Sequence, residues 1–471
     1  MPNEPEPLKP SPAVSTRANG RGTINPAPPA SPRIVGNGAP ANAVTDRPTA
    51  GTKVGTFYSL RFLNYRLLWI GTLFTSAGLW IQQTTLGWVV YDMTGSSTLL
   101  GAISAAGAVP MLLLMPLAGV AADRLNRKLI MLVSQLALFL FTVILGVMLA
   151  MDLVSTWHLF VFIFLVSLAQ VFNQPVRQTV VFDLVPRVAI PNAVALNSAG
   201  FNATRALGPS VAGFLILLFG PAGNFFVQSV AYFAVVVVVL LMTFPPTRGN
   251  TGRVSVATNL AEGFQYVARE PTVRMLMLLA FIPPILVMPA FMTLMPVFAK
   301  DVFHSGPAGL GLLLSANGVG GLLGALFTAS LGRFENRGML LLFALLGVGL
   351  SGIGFAFSSS MEIALPLLAV SGFCGMVYMT TNQTVLQLLV PDHIRGRVTS
   401  ILMLGMGLMP LGGLLAGAGA DVTGAPEMVA LLSSATVLLV ALMAVFMPRV
   451  RALRLSELNQ STSGQRPTAG A

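Results

Sequence analysis

The sequence predicts an all-α membrane protein, with twelve transmembrane helices in two pseudo-symmetric bundles of six. Three observations lead to this prediction. Of the 471 residues, 54% are hydrophobic and 9% are charged, whereas about a quarter of the residues in a soluble domain are charged. A dozen long apolar stretches are separated by short loops. Basic residues fall in every second loop, as expected when those loops stay in the cytoplasm.

The apolar stretches have the length of helices. A helix needs roughly 20 apolar residues to cross the bilayer, whereas a barrel strand is shorter and alternates between polar and apolar residues. The stretches show no such alternation, so helices are predicted. The predicted spans, numbered one to twelve, are 66–91, 97–121, 129–151, 158–184, 192–219, 223–244, 274–299, 308–332, 338–358, 362–389, 395–420 and 425–447.

The distribution of basic residues predicts the orientation. The loop between spans two and three contains Arg124, Arg127 and Lys128, and the predicted outer loops contain a single basic residue, Lys300. The other predicted cytoplasmic basic residues are Arg61, Arg66, Arg187, Arg248, Arg253, Arg269, Arg274, Arg333, Arg337, Arg395, Arg397, Arg449, Arg451 and Arg454. Both chain ends are therefore expected in the cytoplasm, with the protein in the inner or plasma membrane.

Five regions are predicted along the chain. Residues 1–56 are rich in Pro, Ala, Gly, Asn and Ser and are expected to be a disordered tail. The segment from Val256 to Arg269 has apolar residues at helical spacing, which predicts a helix lying on the membrane surface. The other regions are an N-terminal six-helix bundle (57–244), the cytoplasmic linker that contains this helix (245–273), a C-terminal six-helix bundle (274–448) and a cytoplasmic tail (449–471).

The two halves repeat a spacing. Gln178 precedes Val185-Pro186 by the same interval as Gln383 precedes Val390-Pro391, and both pairs close the fourth span of their half. Two parallel six-span halves with a substrate site between them, near the middle of the membrane, are the arrangement that such repeats favour.

Composition also excludes several functions. The net charge of +11 comes from residues at span ends rather than from one soluble face, so no nucleic-acid partner is expected. The single Cys374 leaves no disulfide within the chain, and the three histidines fall at predicted helix ends. The sequence contains no phosphate loop, nucleotide fold or metal cluster, so we expect neither an enzyme nor a cofactor.

The segment 119–128 resembles the loop signature of the major facilitator superfamily. Gly119, Asp123, Arg124, Arg127 and Lys128 match that signature. Asn126 replaces the second glycine of the signature, and Asn also tolerates a left-handed turn. Segments 60–69, 173–178, 192–198, 205–213 and 395–398 further resemble the enterobactin-exporter-like and macrolide-efflux-like branch. The resemblance implies the major facilitator fold. It also implies export of an amphiphilic small molecule, such as a siderophore or a macrolide, by alternating access.

The same resemblance implies a gate at the cytoplasmic end. Its residues would be Gly119, Asp123, Arg124, Arg127 and Lys128. Pseudo-symmetry adds Arg395 and Arg397 as partners across the two halves. A carboxylate stabilises such a contact by meeting an Arg or a helix N-terminus. The alternative is that these charges only set the topology.

Arg205 and Asp92 are the candidates for substrate binding or coupling among charged residues. Arg205 lies midway along span five, where a cation is costly in lipid and is expected to face a cavity or a buried partner. A structural cation held by carbonyl groups is the alternative. Asp92, at the outer end of span one, is the leading candidate for carrying the coupled proton that the resemblance implies, or else a solvated acid. Asp183 is expected to pair with Arg177 or Arg187.

Polar residues on spans one, four and ten complete the predicted site, because the fold places these spans and span seven around the central cavity. Each either binds substrate or holds helices together. They are Gln82, Gln83, Asn173, Gln174, Asn382, Gln383 and Gln387. The expected partners are a small molecule, protons and the lipid bilayer, and the chain is expected to act as a monomer. A lipid transporter or flippase, and a non-transporting membrane scaffold or sensor, are the alternative functions.

Overall fold

The computed structural model of the chain describes residues 55–244, 256–332 and 334–453. Within these ranges, the side chains of residues 116, 120, 122–124, 256–260, 392–393, 403–404, 406 and 449 lie outside the description. The predictions made for residues 1–54, for the start of the linker, for Arg333 and for most of the C-terminal tail therefore fall outside the described part of the chain.

All regular secondary structure in the described ranges is helical, as predicted. Long helices follow one another in chain order with short connections. Their bounds are Leu63–Thr94, Ser97–Arg124, Arg127–Ala150, Thr156–Leu184, Ile190–Leu241, Val256–Arg269, Pro271–Ile282, Met288–Val297, Gly306–Ser330, Arg337–Ala356, Met361–Leu389, Asp392–Met406, Met409–Thr423 and Ala425–Phe446. Shorter helical turns are Tyr58–Arg61, Arg187–Ala189, Pro283–Val287, Phe298–Val302 and Pro448–Arg451.

Nine helical segments of the described chain are long and apolar enough to cross a membrane. Span one, Leu63–Thr94, is not among them. Spans five and six lie within Ile190–Leu241, where a kink at Gly220, with non-helical φ 68° and ψ 176°, separates two helices. Span eleven is interrupted between Met406 and Met409. Helical segments occur in the order of the twelve predicted spans. That all twelve cross the membrane stays a prediction.

Span seven is irregular in two places. Pro271–Ile282 and Met288–Val297 are α-helical, and π-helical turns follow them at Pro283–Val287 and Phe298–Val302. Pro283 and Pro284, which begin the first π-helical turn, have no backbone N–H to donate. This favours a local departure from the α-helix. Such turns are common at functional sites. Here the turn Pro283–Val287 lines a cavity. The turn Phe298–Val302 contains Lys300 and Asp301, at the predicted outer end.

The two halves meet through small residues. Spans two and eleven pack together, as do spans five and eight. A Cβ added to Gly101 of span two would overlap the backbone of Gly413, and one added to Gly311 of span eight would lie 3.1 Å from the Cα of Gly213. Small residues let helix backbones approach closely in a membrane. The halves are therefore sealed by backbone contact along these two pairs of spans.

The linker helix, Val256–Arg269, docks on the C-terminal half. Glu262 forms an ion pair with Arg397 of span eleven, and a Cβ on Gly263 would lie 3.2 Å from the backbone oxygen of Arg397. Burial raises the pKa of the Tyr266 phenol, and nearby Glu270 adds to the increase. Phe264 is 52% exposed on the other side. One face of this helix therefore packs on protein and another presents an aromatic ring outward.

Candidate functional site

A cavity of about 160 Å³ lies beside Arg205, and we call it the Arg205 cavity. Arg205 comes from span five of the N-terminal half, whereas the rest of the lining comes from spans seven to eleven. The lining residues are Arg205, Ala280, Pro283, Pro284, Val287, Met288, Phe291, Met292, Asn317, Leu345, Val348, Ser371, Gly372, Gly375, Met376, Tyr378, Met379, Asn382, Gln383 and Leu402. The cavity therefore joins the two halves.

The guanidinium of Arg205 has no hydrogen-bond or ion-pair partner within the described part of the chain. Span eight approaches it closely, since a Cβ on Gly321 would lie 2.9 Å from its Nη2. The described lining contains no carboxylate. A cation in low-dielectric surroundings is costly unless it is paired. The Arg205 cavity is therefore suited to a ligand that brings a negative charge or a strong hydrogen-bond acceptor.

Other polar groups face the same region. The side-chain oxygen of Asn382 and the hydroxyl of Tyr378 are buried and have no hydrogen-bond partner among the described residues. Both residues line the cavity. Gln383 lines it as well. Met288 and Met292 contribute flexible thioethers, which adapt to ligands of different shapes. The arrangement combines a few convergent polar groups with an apolar wall, as small-molecule sites do.

A second, larger cavity of about 350 Å³ lies between spans one, two, four, seven and eleven, and we call it the span-two cavity. The residues described in its lining include no charged side chain. Gln83, Ser104, Ser167 and Thr293 supply hydrogen-bonding groups. The lining residues are Leu79, Gln82, Gln83, Leu86, Gly87, Val90, Leu100, Ile103, Ser104, Gly107, Ala108, Met111, Leu112, Ile163, Ser167, Pro289, Met292, Thr293, Gly407, Met409, Pro410 and Gly413.

The predicted polar residues of span one differ in their surroundings. Gln82 is 3% exposed and accepts a 2.8 Å hydrogen bond from Nε2 of Gln228 on span six. Gln83 is exposed to the span-two cavity, and its Nε2 lies 3.6 Å from Sδ of Met292 on span seven. Gln82 therefore connects helices within one half, whereas Gln83 reaches across the two halves.

At the predicted outer end, three polar contacts cross the halves. The Lys300 ammonium lies 2.7 Å from Oδ1 of Asp92, and the Tyr91 hydroxyl donates to Asp301. The carboxylate of Asp421 accepts hydrogen bonds from three consecutive residues at the start of span two. We call these residues the outer cluster: Tyr91, Asp92, Ser96, Ser97, Thr98, Lys300, Asp301 and Asp421. In this conformation the outer cluster ties spans one and two to spans seven and eleven.

The structure describes part of the predicted cytoplasmic gate. Gly119 has open space where a Cβ would lie, and the side chains of Asp123 and Arg124 lie outside the description. Arg127 pairs with Asp183 of the same half. The Lys128 ammonium donates to the backbone oxygens of residues 240 and 242 at the end of span six, at 2.9 and 2.8 Å.

The C-terminal members of that predicted gate have separate partners. Arg397 pairs with Glu262 of the linker helix. Arg395 donates from Nη2 to the backbone oxygen of Val390 at 3.3 Å. Arg395 also lines a small cavity with Gln383 and Gln387.

Span four contributes differently from the prediction. Asn173 is 1% exposed and Gln174 is exposed, but neither lines the two main cavities. Arg177 is buried and donates to Oγ1 of Thr75 on span one at 2.8 Å. The predicted pairing of Asp183 with Arg177 or Arg187 is wrong, since Asp183 pairs with Arg127. Residues six apart on a helix point in directions about 120° apart.

Several residues of the site could not be identified from the sequence. Tyr378, Asp301 and Ser315 carry contacts or line cavities although no pattern singled them out. A weak signal was present for Asp301, which follows the only basic residue of the predicted outer loops. Within the described residues, no three His, Cys, Asp or Glu side chains lie close enough to hold a metal ion.

Comparison with protein families gives one match over most of the chain. The model of a family described as transmembrane secretion effector matches residues 54–469. The multidrug efflux pump Tap of Mycolicibacterium fortuitum is 28% identical over 400 residues, covering 83% of this chain and 97% of that protein. The staphyloferrin A transporter of Staphylococcus aureus is 26% identical over 396 residues, covering 82% and 96%. Macrolide efflux protein A of Streptococcus pyogenes is 22% identical over 401 residues, covering 83% and 98%.

Solved transporter structures share the fold. A POT family transporter, solved in complex with a thioalcohol-conjugated peptide, has a TM-score of 0.68 and is 14% identical, with 84% of this chain and 100% of that chain covered. A bacterial homologue of the human lysosomal transporter Spinster has a TM-score of 0.62 and is 17% identical, with 86% and 99% covered. At these identities the likeness concerns the fold alone.

Proposed function

We propose, from the premise that this chain belongs to the transmembrane secretion effector family of the major facilitator superfamily, that it exports an amphiphilic small molecule by alternating access. It is a multi-pass membrane protein, and its family and the relatives described above are transporters, not enzymes. The observation that carries the proposal is the unpaired Arg205 guanidinium in an apolar cavity that joins the two halves.

The chemistry of the Arg205 cavity supports a class of substrate. A negative or hydrogen-bond-accepting end would meet Arg205, Tyr378 and Asn382, and an apolar body would meet the methionines. A cavity of about 160 Å³ is smaller than most drug-sized sites, so it would recognise one end of a larger molecule. The names of the relatives, which refer to multidrug efflux, staphyloferrin A and macrolides, support a siderophore or a drug as that molecule.

The proposed orientation is supported by the sequence pattern, and the proposed assembly by the cavities. The excess of Arg and Lys in alternate loops supports cytoplasmic termini and a place in the plasma membrane. Both cavities are built by the two halves of a single chain, which supports function as a monomer.

Alternating access would close the outer end and the cytoplasmic end of the protein in turn. The outer cluster holds the predicted outer end together in this conformation. At the cytoplasmic end, Gly119, Asp123, Arg124, Arg127 and Lys128 would close against Arg395 and Arg397 in the opposite conformation. The ion pair of Arg397 with Glu262 brings the linker helix to the same end of the protein. A carboxylate and an Arg form strong, oriented contacts of this kind.

Proton coupling is proposed to act through Asp92. Its carboxylate pairs with Lys300 across the halves, and a proton arriving from outside would neutralise it and remove that attraction. Proton binding would thus favour opening of the outer end, while substrate leaves. This arrangement supports exchange of a proton for substrate with no acidic residue in the middle of a predicted span.

The substrate proposal is tested by efflux from cells that express the protein. Cells are loaded in parallel with a macrolide, a catecholate siderophore and a cationic dye, with and without a protonophore. Arg205→Ala should reduce efflux of an accepting or anionic substrate about tenfold or more, the equivalent of one charge-assisted hydrogen bond. Arg205→Lys should retain more activity than Arg205→Ala, because it keeps the charge.

Two results would count against the proposal. Equal loss in both Arg205 variants would indicate a structural guanidinium, since Lys differs in geometry and not in charge. No efflux of any compound, with the protein present in the membrane, would favour lipid transport or a scaffold.

The coupling proposal has its own test. Asp92→Asn, which cannot release a proton, should abolish the dependence of efflux on a pH gradient while leaving downhill exchange of substrate. Glu362→Gln is the matched control, because Glu362 also lies at the start of a span at the predicted outer end. Retention of the gradient dependence in Asp92→Asn would refute a role in coupling.

A further inference from the structure

The two cavities share a wall. Met292 lines both the Arg205 cavity and the span-two cavity. The Nε2 of Gln83 lies 3.6 Å from its sulfur, so a contact between spans one and seven separates the two spaces. Among the residues that the structure describes, Met292 is the one that lines both cavities. They are thus neighbouring compartments of one interface.

The two compartments differ in charge. The Arg205 cavity contains an unpaired cation, which penalises an uncharged apolar ligand that leaves the guanidinium without a partner. The described lining of the span-two cavity has no charged side chain, so an anion there would be costly. Each compartment therefore disfavours the ligand that the other accepts.

The span-two cavity also has the properties of a binding site in its own right. Its volume of about 350 Å³ falls in the range of small-molecule sites. Ser104 on span two and Ser167 on span four add hydroxyls to the polar groups of Gln83 and Thr293 in a mainly apolar wall. Met111 and Leu112 also line the cavity and are 44% and 55% exposed, so the lining extends to the exposed face of span two. A ligand dissolved in the bilayer would meet this surface first.

We propose that the span-two cavity is a second substrate site, which takes uncharged, largely apolar molecules independently of Arg205. The proposal rests on the proposed function, since it assigns a second class of substrate to the same exporter. Substrates with an anionic end would use the Arg205 cavity, and uncharged ones would use the span-two cavity. Two compartments of opposite preference would let one chain export chemically different compounds.

Two dyes of nearly the same skeleton test this proposal. Anilinonaphthalenesulfonate is anionic, and phenylnaphthylamine is its uncharged parent. Binding is measured with the purified full chain in nanodiscs, against nanodiscs without protein, and efflux is measured from proteoliposomes. Ser104→Phe fills the span-two cavity, and Ser104→Ala is the matched control that removes the hydroxyl without filling it.

The two variants should act on different dyes. Ser104→Phe should weaken binding of phenylnaphthylamine about tenfold or more, as overpacking a formed cavity does, and change binding of the sulfonate by less than about twofold. Arg205→Ala should do the reverse, with about a tenfold loss for the sulfonate. Saturating one dye should leave the affinity for the other nearly unchanged.

Other outcomes would overturn the proposal. They are displacement of each dye by the other, loss of both dyes in Arg205→Ala, and unchanged phenylnaphthylamine binding in Ser104→Phe. The last would mean that the cavity holds only lipid. If Ser104→Phe stops efflux of both dyes, binding is used to judge the proposal. Persistent sulfonate binding in that variant would support a second site, and its loss would refute one. Selective binding without efflux by the wild type would refute the exporter and leave the second site standing.

Discussion

The carboxylate of Asp421 makes a prediction about closure of the outer end. It accepts hydrogen bonds from Oγ of Ser96 at 2.8 Å, from the backbone N–H of Ser97 at 2.7 Å and from that of Thr98 at 3.0 Å. Asp421→Ala removes all three bonds between the halves. The start of span two should stay intact, because Ser96 itself accepts from the N–H of Leu99. The substitution therefore addresses the contact between halves and spares the helix.

The size of the effect follows from these contacts. Removing an oxygen that accepts from a helix N-terminus costs about 0.5–2 kcal/mol. Asp421 is exposed to solvent, which screens its charge, so the three bonds together are expected to contribute about 1–2 kcal/mol to the closed conformation. The ratio of closed to open outer ends should fall about 5- to 30-fold.

Cysteine accessibility measures this ratio. Cys374 is the only native cysteine, so Cys374→Ser provides a background for a reporter cysteine at Leu100, which is 6% exposed at the start of span two. A membrane-impermeant maleimide added to intact cells labels the reporter when the outer end opens. Labelling should be about 5- to 30-fold faster in Asp421→Ala than in the parent.

The control for this experiment is Glu362→Ala. Glu362 also lies at the predicted outer end, at the start of span ten, and the described structure gives it no bond across the halves. It should leave the labelling rate unchanged. Equal labelling rates in the parent and in Asp421→Ala would refute the view that this carboxylate holds the outer end closed.

Three further perturbations address other parts of the account. Asp123→Asn should impair efflux while membrane abundance, measured by immunoblot, stays near normal; full activity would argue against the cytoplasmic gate. Gly101→Ala should speed labelling of the same reporter, since its Cβ would overlap the backbone of Gly413, whereas Gly396→Ala, with open space around it, should not. Glu262→Gln should remove the ion pair between the linker helix and Arg397 and weaken docking of this helix by about 1 kcal/mol at most. Faster proteolysis of the linker than in wild type would show this effect.

The helices could be predicted from the sequence because their length and ends depend on local composition. Span ten was expected at 362–389 and runs from Met361 to Leu389. The linker helix was expected from Val256 to Arg269 and has those bounds. An apolar stretch in lipid must satisfy its backbone internally, and only a helix does so within one segment.

The contacts of the site could not be predicted in the same way. Asp92 and Lys300 are about two hundred positions apart in the sequence, and their approach depends on how the halves pack. A mid-span cation such as Arg205 stands out because it is costly in lipid, but the residues that line the cavity with it, such as Tyr378, carry no comparable signal. Gln82 and Gln83 are adjacent and alike in type. Helix rotation alone directs one toward Gln228 and the other toward Met292.

Transport by the purified chain tests the central claim most directly. Proteoliposomes that contain the full chain or its Arg205→Ala variant are loaded with the substrate found in the cell assay, and its release is followed with and without an imposed pH gradient. We expect release that depends on the protein, is accelerated by the gradient and falls about tenfold or more in Arg205→Ala. Release equal to that from empty liposomes would contradict the claim that this chain is an exporter.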